Sequence, residues 1–418
     1  MNLVEKILAR ASGRREVTPG EIVVADVDCL LLHDLSGYLT SRVFENEVRR
    51  PMRYPDRVVM VFDHHFSPPT EEQATVLEEN RAFARRHGIR LFDCGSGNIH
   101  HVGVQNGFVG PGKVIVGSDS HTPVHGTLGC FAAGLGNNSH AGMVMPFGKA
   151  WFRVPETTRI ELTGRHEKAV TPRDAALWLT GQIGEGGAVY RALHFAGPYI
   201  DQLQVWDRWL FPLITIDVGA KCGFIDPDDK TLEFVSRVAA VPPQVLRSDS
   251  ASECSQTLAY DISDLEPQVA ASPTLGNVHP VGELAGADIQ WAELGGHGGG
   301  RIEDIRQAAQ ILRGRKIADG VKFNVVPSSR QVFAQACEEG LVAGLFAAGA
   351  TWFPPSTGSN QAINMGAMAA TEAMVSTHAR NFPGRNGSPQ ARMYLGSAST
   401  VAASAVRGKL TDPREFLA

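Results

Sequence analysis

The sequence has 418 residues, a formal net charge of −5 and 43% hydrophobic residues. This length is too great for one ordinary domain, and the acidic balance gives no reason to expect nucleic acid or an anionic membrane as a partner. No apolar run reaches the roughly 20 residues that span a bilayer, and residues 1–15 lack the apolar block of a signal peptide. We therefore expect a cytoplasmic protein whose first helix lies within residues 1–15.

Short apolar runs alternate with helical patterns along the chain. Residues 58–62, 113–116 and 322–326 have the composition of short buried strands, whereas residues 71–87 and 302–312 have helical periodicity. This alternation of strands and helices predicts an α/β protein with mainly parallel sheets.

The composition changes at two places that predict domain boundaries. Near residue 154 a region rich in glycine and histidine gives way to an extended, charged stretch, and Pro, Ser, Asp and Gln dominate residues 241–280, which suggests a long connection. We therefore predict three α/β domains, at residues 1–154, 155–280 and 281–418, with the long connection at the end of the second domain.

The six cysteines are scattered, and no two of them have the CxxC spacing. A disulfide framework is not expected in a large cytosolic chain, and a cysteine-only zinc or iron–sulfur site would require distant cysteines to converge. We expect all six to be small, buried, apolar residues. They are Cys29, Cys94, Cys130, Cys222, Cys254 and Cys337.

Histidines, most of them with aspartate nearby, stand at three predicted strand ends. Ligands of open α/β sheets bind at the carboxyl ends of strands, and a carboxylate beside an imidazole suits general acid–base catalysis. We predict that these side chains form one polar cleft, while helix capping is the structural alternative for the aspartates and serine. The three groups are Asp63-His64-His65, His100-His101 and Asp119-Ser120-His121.

A glycine-rich segment at residues 294–301 precedes the helix predicted at residue 302. Such a turn exposes backbone N–H groups at the positive end of a helix, which suits an anion or a metal-bound ligand. A Walker-type phosphate loop is not supported, because the segment lacks the Lys-Ser/Thr ending of that motif.

Two arginines, Arg380 and Arg385, flank a Pro-Gly turn near the end of the chain. Guanidinium groups match carboxylates with two parallel hydrogen bonds, so the pair could form a clamp for a carboxylate substrate. A solvated basic loop is the alternative interpretation of the same residues.

Taken in order, these segments resemble the large, catalytic subunit of 3-isopropylmalate dehydratase, in the aconitase family. The resemblance implies three α/β domains around a central cleft, with the swivelling fourth domain supplied by a separate small subunit. It runs along nearly the whole chain. The matching segments include VTPGEIV at residues 17–23, His33-Asp34, Asp63-His64, residues 117–122, His125-Gly126, residues 219–221, residues 300–305 and residues 380–385.

The resemblance also implies roles for individual residues. It assigns the histidine–aspartate pair that flanks the substrate to His101 and Asp119. The catalytic positions as a whole are His101, Asp119, Asp63, His64, Ser120 and His121. The substrate-binding positions are Arg380, Arg385, His33 and Asp34.

The cysteines that hold the iron–sulfur cluster of that family are replaced here. The family pattern Gly-Ser-Cys-Thr-Asn-Gly/Ser-Arg becomes GGHGGGR, which puts His297 at the cysteine position. The downstream Pro-Gly-Cys-x-x-Cys becomes PSTGSN, which puts Thr357 and Asn360 at the other two, and Ala379 replaces a supporting asparagine. Threonine and asparagine cannot substitute for thiolates, so we expect no [4Fe–4S] cluster.

The leading hypothesis is a cluster-independent lyase, of the hydro-lyase or isomerase type, that acts on a small carboxylate substrate, with specialised biosynthetic metabolism as one setting. In one version a single divalent metal, Zn, Fe or Mn, replaces the cluster as Lewis acid. In the other version no metal is bound and the histidine–aspartate pairs act alone. The candidate metal ligands are His297 and His65, with His64, His101 and His121 as further histidines.

A different hypothesis is a catalytically silent regulator, or a scaffold for a small subunit. Loss of the cluster cysteines favours it, whereas retention of the predicted acid–base residues argues against it. The sequence leaves open the substrate, the oligomeric state, the direction of the reaction and the need for a small subunit. It favours neither a nucleic-acid partner nor a membrane partner.

Overall fold

The computed structural model describes residues 1–135, 139–167, 169–239, 242–249 and 254–417. Over these residues helices and strands alternate, and most neighbouring strands are parallel, which confirms the predicted α/β class. The described strands form a two-stranded ribbon and three larger sheets. No helix in this part of the chain is both long and apolar enough to cross a lipid bilayer.

The first sheet and the ribbon are built from the first third of the chain. Their strands are β1 (Ile22–Asp26), β2 (Cys29–His33), β3 (Val58–Val61), β4 (Arg90–Phe92), β5 (Val114–Gly117), β6 (Phe131–Gly134) and β7 (Lys149–Arg153). The sheet is parallel with the order β4-β3-β2-β5-β6, and β1 pairs with β7 in the antiparallel ribbon. Strands β2, β3 and β5 are buried throughout, as expected for a sheet covered on both faces.

The helices of the same region follow these strands. They are α1 (Leu3–Ala11), α2 (Asp34–Val43), α3 (Glu71–His87), α4 (Ile99–Gln105) and α5 (Ser139–Phe147). Helix α3 has the predicted bounds because its ends are encoded locally. The Thr70 side chain accepts a hydrogen bond from the Gln73 N–H at the start, and Gly88 adopts a left-handed φ of 68° at the end.

The second sheet is also parallel and has the order β10-β9-β8-β11, with β8 (Thr157–Thr163), β9 (Ala192–Ala196), β10 (Cys222–Phe224) and β11 (Gln256–Asp261). Strand β11 lies inside residues 241–280, which we expected to be mainly a connection. The helices of this region are α6 (Pro172–Ile183), α7 (Pro198–Gln202), α8 (Val205–Arg208), α9 (Leu210–Leu213) and α10 (Asp229–Ser236).

The third sheet is mixed. Its strands are β12 (Gln268–Ala271), β13 (Val278–Pro280), β14 (Trp291–Leu294), β15 (Lys322–Val325), β16 (Thr351–Trp352), β17 (Ala373–Ser376) and β18 (Arg392–Leu395). Their order is β13-β12-β18-β17-β14-β15-β16, and β12 is antiparallel to both of its neighbours. Strands β12 and β13 therefore join this sheet, although they precede residue 281, the predicted start of the third domain.

The remaining helices pack on the third sheet or connect its strands. They are α11 (Val281–Leu284), α12 (Ile302–Leu312), α13 (Arg330–Glu338), α14 (Leu341–Ala348) and α15 (Ala398–Arg407). Helix α12 has the bounds predicted from its periodicity. One apolar cluster joins the first sheet to the second region, because Leu31 and Val59 belong to the same buried group as Phe195 and Trp209.

The cysteines correct one expectation from the sequence. Cys29, Cys130 and Cys222 are buried as predicted, and all six are free thiols. Cys94 and Cys254 are only partly buried, and Cys337 is exposed on helix α13. Helix α13 exposes one side to solvent, and a single cysteine carries no periodicity that would indicate on which side it lies.

Candidate active site

Asp119 follows strand β5 and is surrounded by buried imidazoles. Its Oδ1 accepts hydrogen bonds from His100 Nε2 at 3.1 Å and from the His121 backbone N–H at 2.7 Å. Its Oδ2 lies 4.0 Å from His33 Nε2 and 3.9 Å from His297 Nε2. Burial alone would raise the pKa of Asp119, but the imidazole of His297 and the hydrogen bond from His100 hold it well below its usual range. The imidazoles therefore surround a carboxylate anion.

Asp63 and His64 follow strand β3 and form a hydrogen-bonded pair. Asp63 Oδ1 accepts from His64 Nδ1 at 2.8 Å, and Oδ2 accepts from the Ile99 N–H at 2.8 Å. Burial alone would lower the pKa of His64, but the Asp63 carboxylate raises it to about 9. His33 stacks on His64 with ring centroids 4.1 Å apart, and burial together with that neighbour lowers the pKa of His33 to about 4. Two imidazoles in contact thus differ in charge near neutral pH.

Asp34, predicted to bind substrate, holds the turn after β3 instead. Its carboxylate accepts from the backbone N–H groups of Asp63, His64 and His65 at 3.0, 2.9 and 2.8 Å. Its Oδ2 also lies 3.0 Å from His65 Nδ1, and the residue is completely buried. These contacts leave little capacity for a substrate. Asp34 is therefore a positioning residue, and His65 faces it rather than Asp119.

The structure corrects the predicted His101–Asp119 pair, because His100 is the residue that contacts Asp119. The His101 ring stacks on Trp206 with centroids 4.9 Å apart, and neither of its ring nitrogens has a hydrogen-bond partner. It lines a separate cavity of about 160 Å³ together with Arg301. Consecutive residues of a helix point about 100° apart, so α4 sends the two histidines to different sides.

The glycine-rich turn places His297 in the same cluster. It follows β14 and leads into α12, and the carbonyl groups of His297 and Gly298 accept from Trp209 Nε1 and Arg173 Nη1, each at 3.3 Å. The chain passes so close to its neighbours that a Cβ on Gly299 would lie 1.9 Å from Thr377 Oγ1. The glycines therefore allow a tight turn that carries the imidazole towards Asp119.

A chain of polar contacts runs from His297 to Arg380. His297 Nδ1 lies 3.2 Å from His121 Nδ1, and His121 Nε2 lies 3.8 Å from Asp217 Oδ2. Asp217 Oδ1 then accepts from Arg380 Nε at 2.9 Å. Asp217 was not predicted from the sequence, although it stands just before the Gly-Ala-Lys segment at residues 219–221 that carries part of the family resemblance.

The second predicted arginine, Arg385, is also buried near these groups. Burial and the charge of Arg380 lower its pKa to about 10, while Asp119 and Asp217 act in the opposite direction. The Arg385 guanidinium therefore stays positively charged near neutral pH. An adjacent cleft of about 600 Å³ is lined mainly by the residues after β2, β3 and β5, among them His33, Ser36, His64, Asp119 and Ser120.

The two downstream cluster positions pack against this site. The Thr357 N–H and hydroxyl both donate to the Asp63 carbonyl oxygen, at 3.1 and 2.9 Å. Asn360 is buried in the same loop, and the neighbouring Ser359 N–H donates to Glu293 Oε1 at 2.9 Å. The segment therefore lies beside Asp63, but the Thr357 hydroxyl is already committed to a backbone carbonyl.

The donor atoms at the site do not fit a [4Fe–4S] cluster. Such clusters need several thiolates, whereas the described side chains that converge here offer imidazoles and carboxylates. Two thiols are directed at backbone carbonyl oxygens of histidines, Cys94 at His65 (3.4 Å) and Cys130 at His125 (3.0 Å). Burial raises the pKa of Cys94 to about 12, which disfavours the thiolate form.

Comparison with known proteins places this site in context. The family model described as "Aconitase family (aconitate hydratase)" matches residues 5–293 and 277–408. A probable 3-isopropylmalate dehydratase large subunit of Methanothermobacter thermautotrophicus is 42% identical over 99% of both chains. A probable methanogen homoaconitase large subunit of the same organism is 40% identical, over 99% of this chain and 98% of that protein.

A solved structure supports the fold. The holo-form of aconitase X from Thermococcus kodakaraensis superimposes with a TM-score of 0.52, over 90% of this chain and 89% of that one. Its sequence is only 11% identical, so this likeness concerns the arrangement of helices and strands alone.

Proposed function

This chain belongs to the aconitase family, and on that premise we propose that it is a hydro-lyase or isomerase that acts on a small carboxylate substrate without a [4Fe–4S] cluster. The observation that carries the proposal is the cleft after β2, β3 and β5. There a charged carboxylate, two imidazoles and several hydroxyls line the position where α/β proteins bind their ligands.

Adding or removing water beside a carboxylate requires one proton to leave carbon and another to reach the departing hydroxyl. His33 and His64 suit these two transfers, because both line the cleft and they stack on each other. Asp63 favours the protonated form of His64, the donor. His33 Nδ1 has no hydrogen-bond partner, which favours a neutral ring that can accept a proton. Ser120 is placed to orient the substrate by a hydrogen bond.

Substrate carboxylates are the expected partners of the buried Arg385 and the partly buried Arg380. Arg385 is 8% exposed, and Arg380 is held by Asp217, so both cations are fixed before substrate arrives. A preorganised guanidinium loses less entropy when it binds a planar carboxylate. This supports a substrate with at least one carboxylate and excludes a neutral one from the proposal.

The proposal also states that the reaction does not need a [4Fe–4S] cluster. The resemblance assigns the thiolate positions to His297, Thr357 and Asn360, and the converging donor atoms are imidazoles and carboxylates. The relatives named above are large subunits, and their lengths match this chain almost completely. We therefore include a separate small subunit, which would close the cleft, as the partner of this chain.

The test is a hydration and dehydration assay on a panel of small hydroxydicarboxylates and their unsaturated counterparts, followed by the ultraviolet absorbance of the alkene. The purified chain is assayed alone and with a co-expressed small subunit. We expect turnover of at least one pair, and a loss of about 100-fold or more in Asp119→Asn, in line with the usual contribution of acid–base groups.

Asp264→Asn is the control, because Asp264 is an exposed carboxylate in the second region and far from Asp119 in sequence. Its activity should equal that of the wild type. Tight carboxylate binding without turnover, with and without the small subunit, would overturn the proposed reaction and favour a binding role.

A further inference from the structure

Three buried side chains direct ligand atoms at one point of the cluster. One ligand atom from each of His64, Asp119 and His297 lies within 4.8 Å of the other two. Their residues are 2%, 6% and 3% exposed. His297 Nε2 is buried and has no hydrogen-bond partner, so an unpaired nitrogen faces a carboxylate oxygen 3.9 Å away. An unpaired polar atom in such a place costs free energy unless a ligand satisfies it.

A second converging group, formed by His33, Asp34, Asp63 and His64, is less suited to a ligand. The Asp34 oxygens already accept three backbone N–H groups. Both Asp63 oxygens are also occupied, one by His64 Nδ1 and the other by the Ile99 N–H. These two carboxylates therefore support the neighbouring imidazoles and have no free oxygen to offer.

Each member of the first group is oriented by a partner behind it. Asp63 binds His64 Nδ1, which leaves Nε2 as the nitrogen available to a ligand. His100 binds Asp119 Oδ1 and leaves Oδ2 free. Carboxylate–histidine contacts of this kind fix the ring orientation of metal ligands and increase their basicity.

The other ring nitrogen of His297 is engaged with His121. His297 Nδ1 lies 3.2 Å from His121 Nδ1, and the tautomer in which His297 Nδ1–H donates across this contact is the one suited to a metal ligand. His297 Nε2 is then left with a lone pair directed at the cluster. A neutral imidazole with a free nitrogen is the form that binds metal ions.

We infer that His64, Asp119 and His297 bind one divalent transition-metal ion, zinc or ferrous iron, at this point. Two imidazoles and one carboxylate are a ligand set that suits both ions and leaves positions open for substrate. Bonds of about 2.0–2.2 Å in tetrahedral geometry place the ligand atoms about 3.3–3.6 Å apart. The three side chains, whose ligand atoms now lie within 4.8 Å of one another, therefore need to close by at most about 1 Å around the ion.

The inference deepens the proposed function and rests on it only for the role of the ion. An ion held by these residues would supply a Lewis acid for the substrate hydroxyl, in place of the proton that His64 donates in the metal-free version of the reaction. His33 and Ser120 remain free in the cleft. Metal binding itself does not depend on the reaction being identified correctly.

The first measurement is the content of zinc, iron, manganese and acid-labile sulfide in protein purified without oxygen. We expect about one zinc or iron ion per chain and no sulfide. The second is a titration of the metal-free chain with Co²⁺, monitored by its visible absorption bands. His297→Ala should abolish these bands, and Asp63→Asn should weaken Co²⁺ binding by about 10- to 100-fold.

Two further variants test whether His297 is a metal ligand or only fills space. His297→Cys should retain Co²⁺ and add a thiolate-to-cobalt absorption, which a space-filling residue could not produce. His279→Ala removes a partly exposed histidine of β13 and should leave Co²⁺ binding unchanged. Circular dichroism confirms that each variant is folded.

The inference is overturned if the folded wild type binds no Co²⁺, or if His297→Ala binds it as tightly as the wild type. Metal bound by these residues without any turnover would instead refute the proposed reaction and leave the metal site intact. Full turnover by protein that contains no metal would refute the role of the ion as Lewis acid and leave the reaction intact.

Discussion

At the scale of single residues, the adjacent histidines of α4 give the sharpest test of the site. We predict that His100→Leu lowers kcat by about 10- to 100-fold with little change in KM, because Asp119 loses the hydrogen bond that orients it. His101→Leu should keep kcat and lower the thermal stability, because it disturbs the stack on Trp206. Steady-state kinetics and thermal melts of both variants, each with its pH profile, check this prediction.

If the His101 variant lowered kcat more than the His100 variant, His101 would have the catalytic role that the sequence suggested. The two residues differ only in the direction of their side chains. Both are completely or almost completely buried, and both stand beside residues that are buried as well. Neither spacing nor composition could therefore decide between them before the position of Asp119 was known.

At the scale of elements, the N-terminal cap of helix α10 is a charged side chain, Asp228. The Asp228 carboxylate caps the helix by accepting from the Thr231 N–H at 2.9 Å, and it pairs with the buried Arg208 at 2.5 Å. Burial alone would raise the pKa of Asp228, but Arg208 and Thr231 lower it to about 2. The folded-state value lies below the unfolded value of about 4, so the carboxylate stabilises the fold above pH of about 4.

This contribution should disappear as the pH falls from about 4 towards 2, through the range between the two pKa values. We predict that Asp228→Asn lowers the free energy of unfolding at neutral pH by about 1 kcal/mol, because Asn keeps a capping oxygen but removes the charge that is paired with Arg208. The difference from wild type should shrink in acid. Urea unfolding at several pH values measures it, and a difference that is independent of pH would contradict the assignment.

Elements with local end signals were predicted well, and elements defined by distant pairing were not. Thr70 and Gly88 mark the ends of α3 in the sequence, and the 3.6-residue period of α12 is equally clear. Strands β12 and β13 were missed. They pair with each other, and only the antiparallel contact of β12 with β18, more than one hundred residues later, joins them to the third sheet. The domain boundary at residue 281 was also predicted without knowledge of this pairing.

At the scale of the whole molecule, the site depends on contacts between the first and third sheets. Thr357 meets Asp63, and His297 meets His121, although almost three hundred and almost two hundred residues separate the partners. The sequence indicated which residue types belong to the site. It could not indicate that His64, Asp119 and His297 are the side chains whose ligand atoms converge, and that His65 is not one of them.

The last prediction concerns the three positions where the family resemblance implies cysteine. The loop of Thr357 and Asn360 packs against the turn of His297, since a Cβ on Gly358 would lie 3.6 Å from the Gly296 nitrogen. Because these positions are already close, the variant with His297→Cys, Thr357→Cys and Asn360→Cys should take up iron and acid-labile sulfide when it is reconstituted without oxygen. Metal and sulfide analysis with an absorption spectrum would detect the cluster.

The matched control is the double variant with Thr357→Cys and Asn360→Cys, which retains His297 and should bind less iron and sulfide. The comparison isolates the third cysteine position, because the two proteins differ only at residue 297. If the triple variant folds and still takes up no sulfide, the surroundings of the three positions have also changed beyond what a cluster can accept. In that case the imidazoles around Asp119 form a site that suits a different electrophile, and restoring the thiolates alone does not restore cluster binding.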